Sequence, residues 1–239
     1  MHPELPMRFT GGSCPSMPEP HESDFLKRLE GGSVSPEEIR EILADESARK
    51  YHAVRRALAA HPRTPRAEAL ALVATLFWRD LAWVSAEART HPQVRRAAEQ
   101  ELLKRLPGMA LAEKADLAGC AGRGVIAALR LEAEPRLVRG LLRNRYTVES
   151  DVVILAARAS SVDTLEMIVS DALWGVRSAV RTAVTRNRAT PLAMSVGLVP
   201  SLPLEDLRDL AREFWRPDVL RECVADEMRR RLEGPARVH

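Results

Sequence analysis

Apolar residues recur along most of the chain at three- and four-residue spacing, in short runs broken by proline, glycine and threonine. This is the period of amphipathic helices with one buried face. Val54-Arg55-Arg56-Ala57 is a typical start: Val54 and Ala57 share a face and Arg55 lies to its side. The same start recurs at Val94-Arg95, Val138-Arg139, Val180-Arg181 and, with leucine, Leu220-Arg221. A recurrence near 40 residues predicts an array of short helices, each unit packing on its neighbours.

Comparison of the chain with itself sharpens this expectation. Residues 54–108 align without a gap to residues 180–234, and 17 of the 55 positions are identical. Thr64-Pro65 meets Thr190-Pro191, Asp80-Leu81 meets Asp206-Leu207, and Arg105-Leu106 meets Arg231-Leu232. The shift of 126 residues is three steps of 42, so the pattern predicts about a dozen helices.

Punctuation marks their ends. Ser35-Pro36-Glu37-Glu38 carries a cap, a first-turn proline and acids at the positive helix end. Thr64-Pro65 and Thr190-Pro191 read as further caps followed by proline, with Thr75 and Ser201 capping the next pair. Pro92, Pro135 and Pro217 stand just ahead of further starts.

Composition agrees with an all-α chain. Its 239 residues are 46% hydrophobic, enough for a sizeable core, yet only 4% are aromatic and Gly is limited to 12, which argues against sandwiches and barrels. Residues 1–21, with five prolines and Gly11-Gly12, predict a flexible arm. Residues 22–47 predict short acidic helices, 48–233 the repeat domain and 234–239 a tail. No apolar run suits a membrane span or a signal core, so the reading is a soluble, cytoplasmic protein with no membrane partner. The three cysteines, Cys14, Cys120 and Cys223, are too far apart for a metal knuckle and predict reduced thiols.

The net charge of +3 averages two opposed segments. Residues 1–47 hold 4 basic and 10 acidic groups, and residues 48–239 hold 32 and 23, giving −6 and +9. A basic body suits an acidic protein surface or nucleic acid, although arginine enrichment over lysine also follows from high-GC codon usage.

The strings His91-Pro92-Gln93-Val94-Arg95-Arg96-Ala97-Ala98 and Asp171 to Ala179 resemble the HEAT and armadillo class, whose helices open Asp-x-x-Val-Arg-x-x-Ala. Residues 54–70 and 180–196 are also similar to leucine-rich repeat variant units. The resemblance covers roughly residues 36–233 and implies a right-handed α-solenoid of about five HEAT-like repeats. It further implies that the recurring arginines, Arg55, Arg95, Arg139, Arg181 and Arg221, pair with acids of neighbouring units. One variant type carries an iron–sulfur segment; Cys14 stands alone here, so that feature is not carried over.

No catalytic residues, cofactor or metal site are expected. Gly119, Gly122 and Gly124 lack the lysine of a phosphate loop and read as a helix break. His52, His61 and His91 have no recurring carboxylate or cysteine beside them and read as turn or cap residues. Ser160-Ser161 reads as a cap ahead of Val162. The repeat also sorts the tryptophans. Trp78 aligns with Leu204 and reads as core, whereas Trp83 aligns with Asp209 and Trp215 with Arg89, positions that tolerate charge. The candidate binding surface is therefore Arg79, Trp83, Arg143, Arg186 and Trp215, with Arg79 stacking on Trp83. Asp80 and Asp206 read as inter-repeat partners of arginine.

The expected function is a non-enzymatic scaffold that presents a curved Arg-rich surface to another protein with an acidic face. The alternative is nucleic-acid binding, with Phe77 to Trp83 offering the residue types used by HEAT-like alkylpurine DNA glycosylases. The acidic leader is a further candidate for covering the basic surface, tested by deleting residues 1–34.

Overall fold

The computed structural model describes residues 21–30, 34–213 and 217–233. Within them the chain is all-helical, with no strand. The sixteen described α-helices are α1 (Glu22–Glu30), α2 (Pro36–Ala44), α3 (Glu46–Lys50), α4 (His52–Ala60), α5 (Arg66–Val73), α6 (Trp78–Ala86), α7 (Pro92–Arg105) and α8 (Leu111–Ala118). They continue as α9 (Arg123–Leu129), α10 (Pro135–Arg143), α11 (Glu149–Arg158), α12 (Val162–Ser170), α13 (Ser178–Arg186), α14 (Leu192–Leu198), α15 (Leu204–Ala211) and α16 (Asp218–Glu233). Short 3-10 turns follow α7 and α14. The expected arm lies outside the described residues except for His21.

The internal duplication is present in the helix bounds. The first residues of α2, α4, α5, α6 and α7 and of α12, α13, α14, α15 and α16 are each separated by 126 positions. The correspondence begins at Pro36, ahead of the block that sequence identity marks out. It reaches individual bonds. Arg105 donates to Glu101 and to the carbonyls of Leu76 and Ala74. Arg231 does the same to Glu227, Leu202 and Pro200, each 126 positions on.

Helices pack mainly on those one to three places away in chain order. The buried Val54, Val94, Val138, Val180 and Leu220 are the apolar halves of the recurring starts, and all are at most 2% exposed. A large central cluster runs from Ala59 to Leu198, flanked by one cluster around Phe25, Ile39 and Leu58 and another around Leu207, Leu210 and Val224. Phe25 and Leu29 thus belong to a core, so deletion of residues 1–34 would remove packing as well as any leader.

Helix starts follow their local chemistry at several points. Ser35 and Glu38 form the expected reciprocal cap, the hydroxyl accepting from Glu38 N at 3.1 Å. Pro92 and Pro135 occupy the first position of α7 and α10, where no N–H is needed. Four expected caps are corrected. Thr64 and Thr190 donate backwards to the carbonyls of Leu58 and Val184, and Thr75 and Ser201 to those of Leu72 and Leu198. These hydroxyls close the end of the preceding helix, whose last carbonyls lack intrahelical donors. Ser161 precedes α12 without a side-chain cap bond.

The arginines of the recurring starts also differ from expectation. Arg181 donates to the Gly175 carbonyl at 2.6 Å, Arg221 reaches Asp218 of its own helix, and Arg55 contacts His52. Directly after a buried valine or leucine, such an arginine lies about 100° round the helix; Arg55, Arg95, Arg181 and Arg221 are half-buried there, and Arg139 is exposed with no ion pair among the described residues. Inter-helix ion pairs come from other positions, such as Arg56 to Asp80 at 3.5 Å, as expected for Asp80. Asp206 accepts from Thr182 at 2.8 Å.

Candidate binding groove

Three of the five candidate residues meet in one groove of about 480 Å³. Its first wall is α6, through Arg79, Ala82, Trp83 and Ala86, which share a helical face. Gly119 and Cys120, just past α8, line its middle. Arg143, Asn144, Arg145 and Tyr146, at the end of α10, form the other wall.

The second wall is fixed from beneath. Gly140 brings α10 so close to α8 that a Cβ there would lie 2.9 Å from that of Ala118 and 3.0 Å from the Ala115 carbonyl. The buried Asn144 amide donates to the carbonyls of Ala118 at 2.8 Å and Ala121 at 3.0 Å, while its oxygen accepts from Tyr146 N. Thr147 donates to Leu141 O at 2.6 Å, and Arg123 holds the Tyr146 carbonyl at 2.8 Å.

Inside the groove the charges are unequally engaged. Arg79 pairs with Asp116 at 3.0 Å and lies over the Trp78 ring at 5.0 Å. The expected stacking of Arg79 on Trp83 is therefore replaced, because Asp116 draws the guanidinium the other way. Trp83, 44% exposed, is covered instead by Arg56 of α4 at 5.0 Å. Arg145 lies over Tyr146 and donates to its hydroxyl at 2.7 Å. Arg143 is exposed and has no hydrogen bond or ion pair among the described residues. Burial, then Asp116, pushes the Cys120 thiol up, against the opposing effect of Arg79.

Arg186 lies elsewhere, in a hollow of about 410 Å³ shared with Thr182, Asn187 and Asp206. It is not a free arginine: Glu213 at 3.1 Å, Asp209 at 3.6 Å and Asp206 at 3.8 Å engage it. The repeat explains why. Arg186 and Asp209 correspond to Ala60 and Trp83, which line a hollow of their own. An ion pair in one block thus occupies the seam that a tryptophan and a small residue occupy in the other. Trp215 lies outside the described residues.

Other expectations resolve readily. Trp78 packs partly buried against the central cluster, its indole donating to Glu113 at 3.2 Å. His61 and His91 accept from the backbone N–H two residues on, as turn and cap residues. Gly119 ends α8 and Gly122 precedes α9, with Gly124 N donating to Glu99 at 2.8 Å. Asp80 is engaged by Arg56, the same arginine that covers Trp83, and does not itself line the groove. Among the described residues, no group of three His, Cys, Asp or Glu could hold a metal ion, and no helix is long and apolar enough to cross a membrane.

The sequence reading overlooked Arg145 and Tyr146, although their adjacency to Arg143 was visible. It also overlooked the spacing Arg136, Arg139, Arg143, which puts three arginines on the exposed side of α10. No protein-family model, curated protein or solved structure matches the chain.

Proposed function

We propose that the chain is a right-handed α-solenoid of about five HEAT-like repeats that serves, without catalysis, as a scaffold for another protein with an acidic surface. Packing between chain neighbours and helix starts repeated at 126 positions support the architecture. The binding reading is carried by one observation: an unpaired Arg143 shares a groove with the half-exposed Trp83 and the Arg145–Tyr146 stack. An aromatic anchor beside an unpaired guanidinium is the composition of a binding hot spot. The free thiols of Cys120 and Cys223 fit a cytoplasmic setting, where thiols stay reduced.

The test is affinity capture by the full chain from its native cells after nuclease treatment. A protein retained by the wild type is expected to be lost from Trp83→Ala and from Arg143→Glu, both substituting exposed side chains. Equal retention by all three sinks the groove reading. The +9 body keeps nucleic acid as the second reading, favoured if capture disappears on nuclease treatment and if binding to DNA weakens steeply with salt.

A further inference from the structure

We infer that the partner segment is an acidic α-helix, read in register by the arginines of α10; this rests on the protein-scaffold reading above. Arg136, Arg139 and Arg143 are all exposed, and none has a hydrogen bond or ion pair among the described residues. The opposite side of α10 is sealed by Leu137, Val138, Leu141 and Leu142. At 100° per residue the three arginines fall within an arc of about 60°, and at 1.5 Å per residue they rise by about 4.5 and about 6 Å. They form a straight file about 10 Å long on one helix, which opens, at Arg143, onto the groove with Trp83 and Tyr146.

That spacing is the spacing of side chains three and four apart on a second helix lying alongside α10. Glutamates at the first, fourth, fifth and eighth positions of such a helix would face the file in either direction of approach. Guanidinium groups hold carboxylates through paired donors, and a preformed file requires no side chain to leave an existing ion pair. Beyond the last carboxylate, Ala82, Trp83 and Ala86 offer the apolar wall for a side chain of the partner. A continuous polyphosphate fits less well. The file is short, three arginines over about 10 Å, and Glu134 stands directly before its helix. A nucleic-acid backbone gains affinity from many phosphate contacts, more than a file of three arginines offers.

The experiment uses the full chain and two labelled synthetic peptides of identical composition and matched helicity, ending in one leucine. One carries four glutamates at the first, fourth, fifth and eighth positions; its isomer spreads them round the helix. Fluorescence anisotropy is expected to give the in-register peptide about tenfold tighter binding, the scale of one or two charge-assisted contacts. The preference should collapse in Arg139→Gln, a position outside the groove, and bound peptide should slow alkylation of Cys120. Equal binding of both isomers overturns the register while leaving an acidic partner standing. Failure of both peptides at low salt, with labelled single- or double-stranded DNA bound instead, overturns the register and the protein-scaffold reading together.

Discussion

The Asp151 side chain is fully buried between Arg123 of α9 and Arg130 just past its end. Arg123 bonds it, Arg130 reaches it at 2.5 Å, and Val148 N donates to it at 3.0 Å. Burial favours the protonated acid, but the Arg123 bond, the Val148 N–H and the Arg130 bond outweigh it and hold the carboxyl below its ordinary 3.8. Asp151→Asn would leave two arginines facing a neutral amide, and an expected loss of about 3 kcal/mol follows, the low end for breaking a buried pair because Arg123 is half exposed. Urea unfolding at neutral pH measures it. Two other carboxylates share the direction: Glu227 is brought to about 2 by Arg230 and Arg231, and Glu101 is lowered by Arg105. The unfolded chain takes up these protons first, near 3.8 to 4.5, while the folded chain still refuses them. Their stabilisation is therefore complete above that range and is lost as pH falls towards about 2. Unfolding midpoints should drop between neutral pH and about pH 3, and drop less in Asp151→Asn. An equal drop in the variant would assign the acid sensitivity elsewhere.

At the scale of elements, the decisive parts are turns that bond two helices at once. The Asn187 amide reaches the carbonyls of Ala156 and Ala159 at 2.6 and 2.7 Å while its oxygen accepts from Ala189 N. Asn144 repeats the arrangement at the groove, on Ala118 and Ala121. Asn187→Ala strands buried carbonyls and is expected to cost about 2–3 kcal/mol, read from the denaturation midpoint. Gly140→Ala drives a methyl into Ala118 and the α8 backbone, an overpacking of about 1–3 kcal/mol. Because Gly140 seats the Arg143 wall, this variant should also weaken partner binding, whereas Asn187→Ala, far along the chain, should not. Helix existence was legible because apolar spacing and the Ser35 and proline signals are local. The role of Thr64 was not, since a threonine before a helix offers a cap forward or a donor backward, and only the orphan carbonyl of Leu58 decides. The groove was half legible for a similar reason. Alignment of Trp83 with Asp209 showed a position that tolerates charge, but which acids reach Arg186 depends on how α13 faces α15.

For the whole molecule, near-neighbour packing has a consequence for how the chain comes apart. When a helix is held mainly by its chain neighbours, stability is a sum of local terms and the ends are held from one side only. The central cluster spans α4 to α14, whereas Val199, Leu202, Leu207, Leu210, Leu220 and Val224 form a small cluster of their own at the C-terminal end. Opening α15 and α16 would expose that small cluster and break the Arg231 bonds to Leu202 and Pro200, leaving the central cluster closed. Native-state hydrogen exchange is therefore expected to show residues 204–233 opening at lower free energy than α8 to α13. Leu207→Ala, removing a fully buried side chain, should lower protection across residues 204–233 by about 2–4 kcal/mol while leaving that of α8 to α11 unchanged. Leu141→Ala, in the central cluster, should instead lower the protection that reports global unfolding. A uniform fall across all helices in Leu207→Ala would mean one cooperative unit, and the reading of the chain as a repeat array would lose its energetic content. Retention of the groove's affinity for its partner in Leu207→Ala then follows from the same locality, because α6, α8 and α10 lie outside the segment that opens.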